Sequence, residues 1–494
     1  MTEIDIAAIA QRAEAAARPF AATSPGQRAA ALVAVADALD ASAPQLIAIA
    51  MRETGLTEPR LTGEVRRTSN QLRLFAEAIV DGAYLDARID APDADYVIGP
   101  RPDVRRVLEP VGPVLNFAAS NFPFAFSVAG GDSAAALAAG CPLIVKAHSG
   151  HLELSRATAE VVVAALAEAG MPDGVFQLIV GQANGTAMLE HPAIRAGAFT
   201  GSGRVGRLLA DIAAARPRPI PFFGELGSVN PAYATAGALE AEPDLVAGFV
   251  ASVAGSAGQL CTKPGFLFVP ADADLGDVEA AAAGVPEHRL LNPGIGRAFE
   301  GRKAEVLAAE GVRVLAEGEV RVDGDEQRWT TPTIVEVSAT DLAAAGEALL
   351  EESFGPLSVI VRYDAIDALP ALHERLFPGN LTSTLHATDE EADAVRPLVD
   401  ALSVTSGRVL FGGWPTGVSV TRAMQHGGPY PATTTDATSV GTAAITRFLR
   451  GVAYQSAPQA LLPAPLQDAN PWGVPQRRGE AGLSAQWGTL TGAH

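Results

Sequence analysis

The chain has 494 residues, room for two or three domains. Its 48% hydrophobic and 19% charged residues suffice to bury a large core, which excludes a disordered chain. A net charge of −20, with no basic stripe, argues against nucleic acid and against anionic membrane surfaces as partners.

The predicted elements begin with helices. Ile4 to Gly82 reads as helices: apolar residues recur at helical spacing through Arg28 to Arg52 and again through Ser69 to Val80, and Ser24-Pro25-Gly26 is a helix-start signal. Residues 1–21, acidic early, read as an amphipathic helix rather than a signal peptide. Ala83 to Arg106 is polar and Asp- and Pro-rich, with a short alternating stretch at Tyr96-Val97-Ile98; a hairpin standing off the body is predicted, suited to pairing with another subunit. From Arg106 to Glu225 strands and helices alternate. Strands are expected at Val114–Ala118, Leu143–Ala147, Val175–Val180, Ala196–Thr200 and Ile220–Phe223. The intervening helices are Phe126–Ala139, Leu154–Gly170, Gly185–Glu190 and Arg204–Ala215. Such βαβ units with apolar strands imply a buried parallel sheet, whose ligands bind beyond the carboxyl ends of the strands. A second α/β region follows from Pro231 to about Ser406. The Pro-, Gly- and Thr-rich part from Gly427 onward holds one expected helix, Thr442–Gln455.

Two cysteines, Cys141 and Cys261, are too few for a disulfide framework and lack metal-ligand spacing. No metal is expected, and a reducing, cytoplasmic setting is. Free cysteines are commonly core residues, but Cys261 ends the Gly-rich stretch Gly258-Gln259-Leu260-Cys261 after a helix-forming segment, Asp244–Val253. Upstream, Phe223-Gly224-Glu225-Leu226-Gly227 sets one carboxylate among apolar residues. A thiol and a carboxylate base in such surroundings are the parts for acyl transfer through a thioester. An apolar setting is expected to raise the pKa of Glu225 and suit it to base work.

Other residues at strand ends fit around this pair. Asn121, just before Phe122-Pro123, can donate to an oxyanion together with the Cys261 N–H, or can simply be a turn residue. Thr200-Gly201-Ser202-Gly203-Arg204-Val205-Gly206, between strand and helix, suits a phosphate at a helix N-terminus. Lys146 ends an apolar strand, followed by His148 and Ser149. No acid stands within three positions after Lys146 to hold an adenosine 2′-hydroxyl, which favours NADP, with NAD as the alternative.

Together, Asn121-Phe122-Pro123, Lys146, Phe199 to Gly206, Glu225-Leu226-Gly227, Gly258 to Cys261 and Glu352-Ser353-Phe354-Gly355-Pro356 resemble, in order and spacing, the aldehyde dehydrogenase superfamily. The resemblance implies an α/β fold with a Rossmann-type cofactor domain (1–82 and 107–230), an α/β catalytic domain (231–426), and an oligomerisation hairpin with a C-terminal segment (83–106 and 427–494). It implies Cys261 as the catalytic thiol, Glu225 as general base and Asn121 as the oxyanion amide. Lys146 and Ser149 would meet the adenosine ribose, Ser202 the pyrophosphate, and Glu352 and Phe354 the nicotinamide ribose. It also implies a small-molecule aldehyde as substrate and a homodimer or homotetramer. Two positions depart from the common pattern: Ser120 stands where many relatives have Trp, and Ser228 where a Gly is usual. The region from His426 onward is similar to an NADP-preferring branch acting on 2,5-dioxopentanoate (α-ketoglutaric semialdehyde) or on fatty aldehydes. For an acidic substrate Arg422 is the candidate partner; for an acyl chain, Phe122, Phe124, Phe126 and Trp414 are the candidate lining. Release of the acyl group to coenzyme A, amide or nitrile hydrolysis, and a non-enzymatic role are the rival readings, with Glu225 arguing for water as acceptor.

Overall fold

The computed structural model describes residues 5–488. The expected helical start at Ile4 lies outside them. Helix α1 (Ile6–Ala21) is capped by Asp5, whose side chain accepts from the Ala8 N–H. Helix α2 (Pro25–Thr54) starts where Ser24-Pro25 predicted: Ser24 and Gln27 cap each other reciprocally, and Pro25 takes the first turn. Gly55, in the left-handed region at φ +71°, ends it. Helix α3 spans Glu58–Asp81.

Strands β1 (Ala87–Asp90) and β2 (Val104–Pro110) pair antiparallel. They do not stand alone, contrary to the expected free hairpin. Leu449–Gln455 lies beside β2 and Gln476–Gly479 beside β1, so the pair forms the centre of a four-stranded sheet. Tyr96-Val97-Ile98 is turn, not strand. The helix expected at Thr442–Gln455 is likewise corrected: a 3₁₀ stretch covers Thr442–Phe448, and Leu449–Gln455 is strand. Pairing along all seven residues with β2 outweighs a helical pattern that Gly451 already weakens.

Strand β3 (Val114–Phe117) opens a second sheet. Helix α4 begins only at Gly131 (Gly131–Ala139), later than predicted, because the residues after Asn121 form successive turns. There follow β4 (Leu143–Lys146), α5 (Leu152–Glu168), β5 (Phe176–Ile179), α6 (Gln182–Glu190), β6 (Ala196–Thr200), α7 (Gly203–Ala215) and β7 (Phe222–Glu225). The sheet order is β5-β4-β3-β6-β7, every pair parallel. The order reverses between β3 and β6, the crevice where a doubly wound sheet binds its ligand. By length and composition α2 could cross a bilayer; here it packs against α3 and α5, with Leu32, Val35, Leu39 and Leu46 in the core.

A third sheet of seven strands spans Pro231 to Phe411, parallel except for its edge strand Arg313–Ala316. The C-terminal part is bound to helix α4 by a buried ion pair, Arg447 Nη2 to Asp132 Oδ1 at 2.6 Å. Burial pushes the Asp132 carboxyl up and Arg447 opposes it. Arg447→Ala leaves that carboxylate buried without its cation, so a loss of about 3–5 kcal/mol is expected in chemical denaturation. Wild-type stability in that variant would show the pair to be dispensable.

Candidate functional site

The nucleophile candidate sits on a strained loop. After the helix Leu245–Ala254, Ser256 (φ +51°), Ala257 (+53°) and Gly258 (+65°) are all left-handed. Such conformations cost non-glycine residues roughly 1–2 kcal/mol each, so the surroundings must hold the loop. A Cβ at Gly258 would lie 2.3 Å from the Gly355 carbonyl oxygen. That close approach seats the Glu352–Pro356 segment directly against the thiol loop. Asn230 donates its amide to the carbonyls of Cys261 (2.8 Å) and Lys263 (3.0 Å). Asn121 donates to the Gln259 carbonyl at 3.0 Å, which places its amide two residues from the thiol.

Glu225 is the last residue of β7 and is buried. His426, also fully buried, stands between it and the thiol: Nε2 is 3.1 Å from Glu225 Oε1 and 3.6 Å from Cys261 Sγ. Ser439 Oγ donates to Glu225 Oε2 at 2.5 Å. The reactive atoms of Glu225, Cys261 and His426 all lie within 4.8 Å of one another.

Burial by itself would raise the Glu225 carboxyl, as the sequence suggested. The nearby His426 and hydrogen bonds from His426, Ser439 and Cys261 outweigh burial and hold the carboxyl below its usual range. The expected upward shift is thus corrected, because the site is polar around this carboxylate. The Cys261 thiol moves the other way. Burial, then the charge and hydrogen bond of Glu225, then Glu352 push it well above the ordinary value, with Arg67 opposing. At neutral pH the resting site therefore holds a thiol beside an ionised carboxylate.

His426 and Ser439 were not singled out from sequence. Their segment joins the site by running along β7: Leu226 N–H donates to the Ala432 carbonyl and Thr434 N–H to the Gly224 carbonyl. The available signal was a histidine, one of only eight in the chain, placed before a Gly-Gly-Pro turn.

The cofactor-type residues gather at the crevice between β3 and β6. Ser202 stands at the start of α7, its hydroxyl makes no cap bond, and the first turn carries no acid, so the N–H groups there suit a pyrophosphate. Gly206 lets α7 lie close to the sheet, since a Cβ would meet Leu226 at 2.1 Å. The Gly201 N–H donates to the Glu225 carbonyl, tying the phosphate-type turn to the base candidate. Lys146 lies at the end of β4, its pKa lowered by burial. His148 accepts from the Gly150 N–H and stacks on His151, while Ser149 is exposed. Burial, with His151 and Lys146, lowers His148 to about 3, so without a bound anion it carries no charge. Glu153 is turned to Arg52 at 2.7 Å. A carboxylate that sequence proximity did not reveal, Glu53, instead accepts from the N–H groups of Glu153 and Leu154 at the start of α5.

Glu352 is half-buried near Lys263; loss of solvation raises its pKa to about 7 and Lys263 opposes the shift. Phe354 packs against the large core that includes β3 and β4. Of the lining candidates, Phe122 and Phe126 form an apolar cluster with Val418, Val420 and Met424, while Phe124 belongs to the main core and Trp414 packs at a tilt against His386 and Phe249. Arg422 is largely exposed, 3.7 Å from Glu77.

The aldehyde dehydrogenase family signature matches residues 1–295. The chain is 44% identical over 470 residues to alpha-ketoglutaric semialdehyde dehydrogenase 2 of Azospirillum brasilense, covering 94% of this chain and 88% of that protein. It is 40% identical to alpha-ketoglutaric semialdehyde dehydrogenase of Acinetobacter baylyi, over 95% of this chain and 90% of that one. PnpE, solved in complex with nicotinamide adenine dinucleotide, shares the fold with a TM-score of 0.77 at 22% identity, over 92% of this chain and 90% of that one. The chain belongs to the aldehyde dehydrogenase family and is an oxidoreductase acting on aldehydes.

Proposed function

We propose that this enzyme oxidises 2,5-dioxopentanoate to 2-oxoglutarate with NADP through a thioester on Cys261. The observation that carries the reading is the compact group of Cys261, His426 and Glu225 beside the crevice of the β3–β7 sheet. The two semialdehyde dehydrogenases named above support the substrate. NADP, when bound, supplies the hydride acceptor. Ser202 with Gly201 and Gly206 would hold its pyrophosphate, Lys146, His148 and Ser149 the adenosine ribose end, and Glu352 and Phe354 the nicotinamide ribose.

The chain's own part follows from the geometry. The Cys261 sulfur attacks the aldehyde carbon while the thiol proton passes to the His426–Glu225 pair. The Asn121 amide and the Cys261 N–H would donate to the oxyanion, worth roughly 3 kcal/mol per donor in comparable sites. Once the carbon has lost its hydride, the acyl group remains on sulfur and the pair releases the thiol proton to solvent; Glu225 then draws a proton from water as the water oxygen adds to the thioester, and returns it to the departing sulfur.

Ser149, in place of an acid, supports NADP; NAD remains the alternative, since His148 adds no charge of its own and Glu53 places a carboxylate at the start of α5. The apolar cluster around Phe122 and Phe126 supports a second reading, oxidation of medium-chain or fatty aldehydes. Division of the chain into the cofactor, catalytic and oligomerisation parts given above, a homodimer or homotetramer, and a cytoplasmic location complete the proposal. The test is cofactor reduction with 2,5-dioxopentanoate and with hexanal, each with NADP and NAD. The highest kcat/KM is expected for 2,5-dioxopentanoate with NADP. Higher values for hexanal would replace the substrate reading, and higher values with NAD the cofactor reading.

A further inference from the structure

Helix α3 carries Arg60, Glu64 and Arg67 three and four residues apart, on one face. Two of them hold the turn after β3. Arg60 donates to the Asn121 carbonyl at 2.7 Å and lies 3.8 Å from Glu64. Glu64 Oε1 accepts from the Phe124 and Ala125 N–H groups.

Arg67 is different. It makes no hydrogen bond or ion pair among the described residues, and its Nη1 is buried without a partner. Its guanidinium lies 5.2 Å from the centre of the Phe126 ring. Phe126 in turn lies 6.3 Å from the His426 ring, and His426 reaches the Cys261 sulfur. The Phe126 ring thus lies between this cation and His426, the residue that touches the thiol. Its charge is felt by Glu64, Cys261 and Glu225. Arg408 also influences Cys261, but its Nη groups are committed to the carbonyls of Gly417 and Pro415. A guanidinium presents a fork of donors matched to a carboxylate, and burying such donors without acceptors is unfavourable. The missing acceptors are therefore expected on the substrate. The five-carbon chain of a dioxo acid spans about 5 Å from aldehyde carbon to carboxylate carbon by ordinary bond geometry, long enough to pass one ring.

We propose that Arg67 binds the carboxylate of the aldehyde substrate and makes the site selective for short aldehydes that end in an acid group. This rests on the reading of Cys261 as the nucleophile and of 2,5-dioxopentanoate as substrate. Arg422, the sequence-level candidate, is placed instead on the surface beside Glu77.

Steady-state kinetics of wild type, Arg67→Gln and Arg67→Lys, with 2,5-dioxopentanoate and with hexanal, test it. In Arg67→Gln, KM for the dioxo acid is expected to rise roughly 30-fold or more with a much smaller change in kcat. KM for hexanal should shift far less, because hexanal has no carboxylate. Arg67→Lys, which keeps the charge but not the fork, should fall between, and it serves should Arg67→Gln fail to fold. An unchanged KM for the dioxo acid in both variants overturns the proposal. So does an equal loss on both aldehydes, the mark of a structural role. A wild-type enzyme that prefers hexanal overturns the substrate reading, and Arg67 with it, before any variant is compared.

Discussion

Cys261→Ala is expected to abolish aldehyde oxidation, with kcat/KM falling by at least about 10⁴-fold. The remaining cysteine cannot substitute. Cys141 is buried, its thiol donates to the Phe448 carbonyl, and burial pushes its pKa up to about 11. The loss should therefore be complete with every aldehyde and either cofactor, while the thermal melt stays near that of wild type. Cys261 is partly accessible and Cys141 is not, so a single alkylation by iodoacetamide is expected in the folded protein, at Cys261. Residual turnover above about one part in a thousand would mean that the acyl group is not carried on this sulfur.

Glu225→Gln is expected to separate the two halves of the reaction. The Glu225 charge pushes the Cys261 thiol upward, so removing it brings the thiol closer to its ordinary range and leaves attack on the aldehyde open. Hydrolysis of the thioester loses its base. A burst of about one equivalent of reduced cofactor per site should precede a steady rate some 10²–10³-fold below wild type. Because His426 and its neighbours outweigh burial and hold Glu225 below the usual carboxylate range, it is expected to contribute no limb to the rate profile between about pH 5 and 8. A limb in that interval that persists in Glu225→Gln belongs to another group. A variant with no burst and an equally slow first turnover would assign Glu225 to the attack step instead.

Much of this site was legible because its chemistry is written locally. A cysteine in a glycine-rich loop, a glutamate ending a strand and an asparagine after another strand each carry their context within a few residues. The near-continuous apolar strands from Val114 to Phe223 announced a parallel sheet for the same reason. What depends on distant pairing was not legible. Leu449–Gln455 reads as helix until β2 lies beside it, and Phe122 to Gly130 cannot be read as turns without Glu64 accepting their N–H groups. The pKa of Glu225 was misjudged in sign because the groups that decide it, His426 and Ser439, are some two hundred positions away in the chain. Glu53 at the start of α5 escaped notice for the same reason.

The arrival of His426 and Ser439 along the edge of β7 also bears on how the enzyme is made. During synthesis the thiol emerges long before the segment that surrounds it, and the ribosome must add well over a hundred further residues before the pair can close. Until then Cys261 and Glu225 lack His426 and Ser439, the groups that hold the carboxylate in its low range. The site is thus completed in one late step, when the segment leading to Ser439 settles against β7.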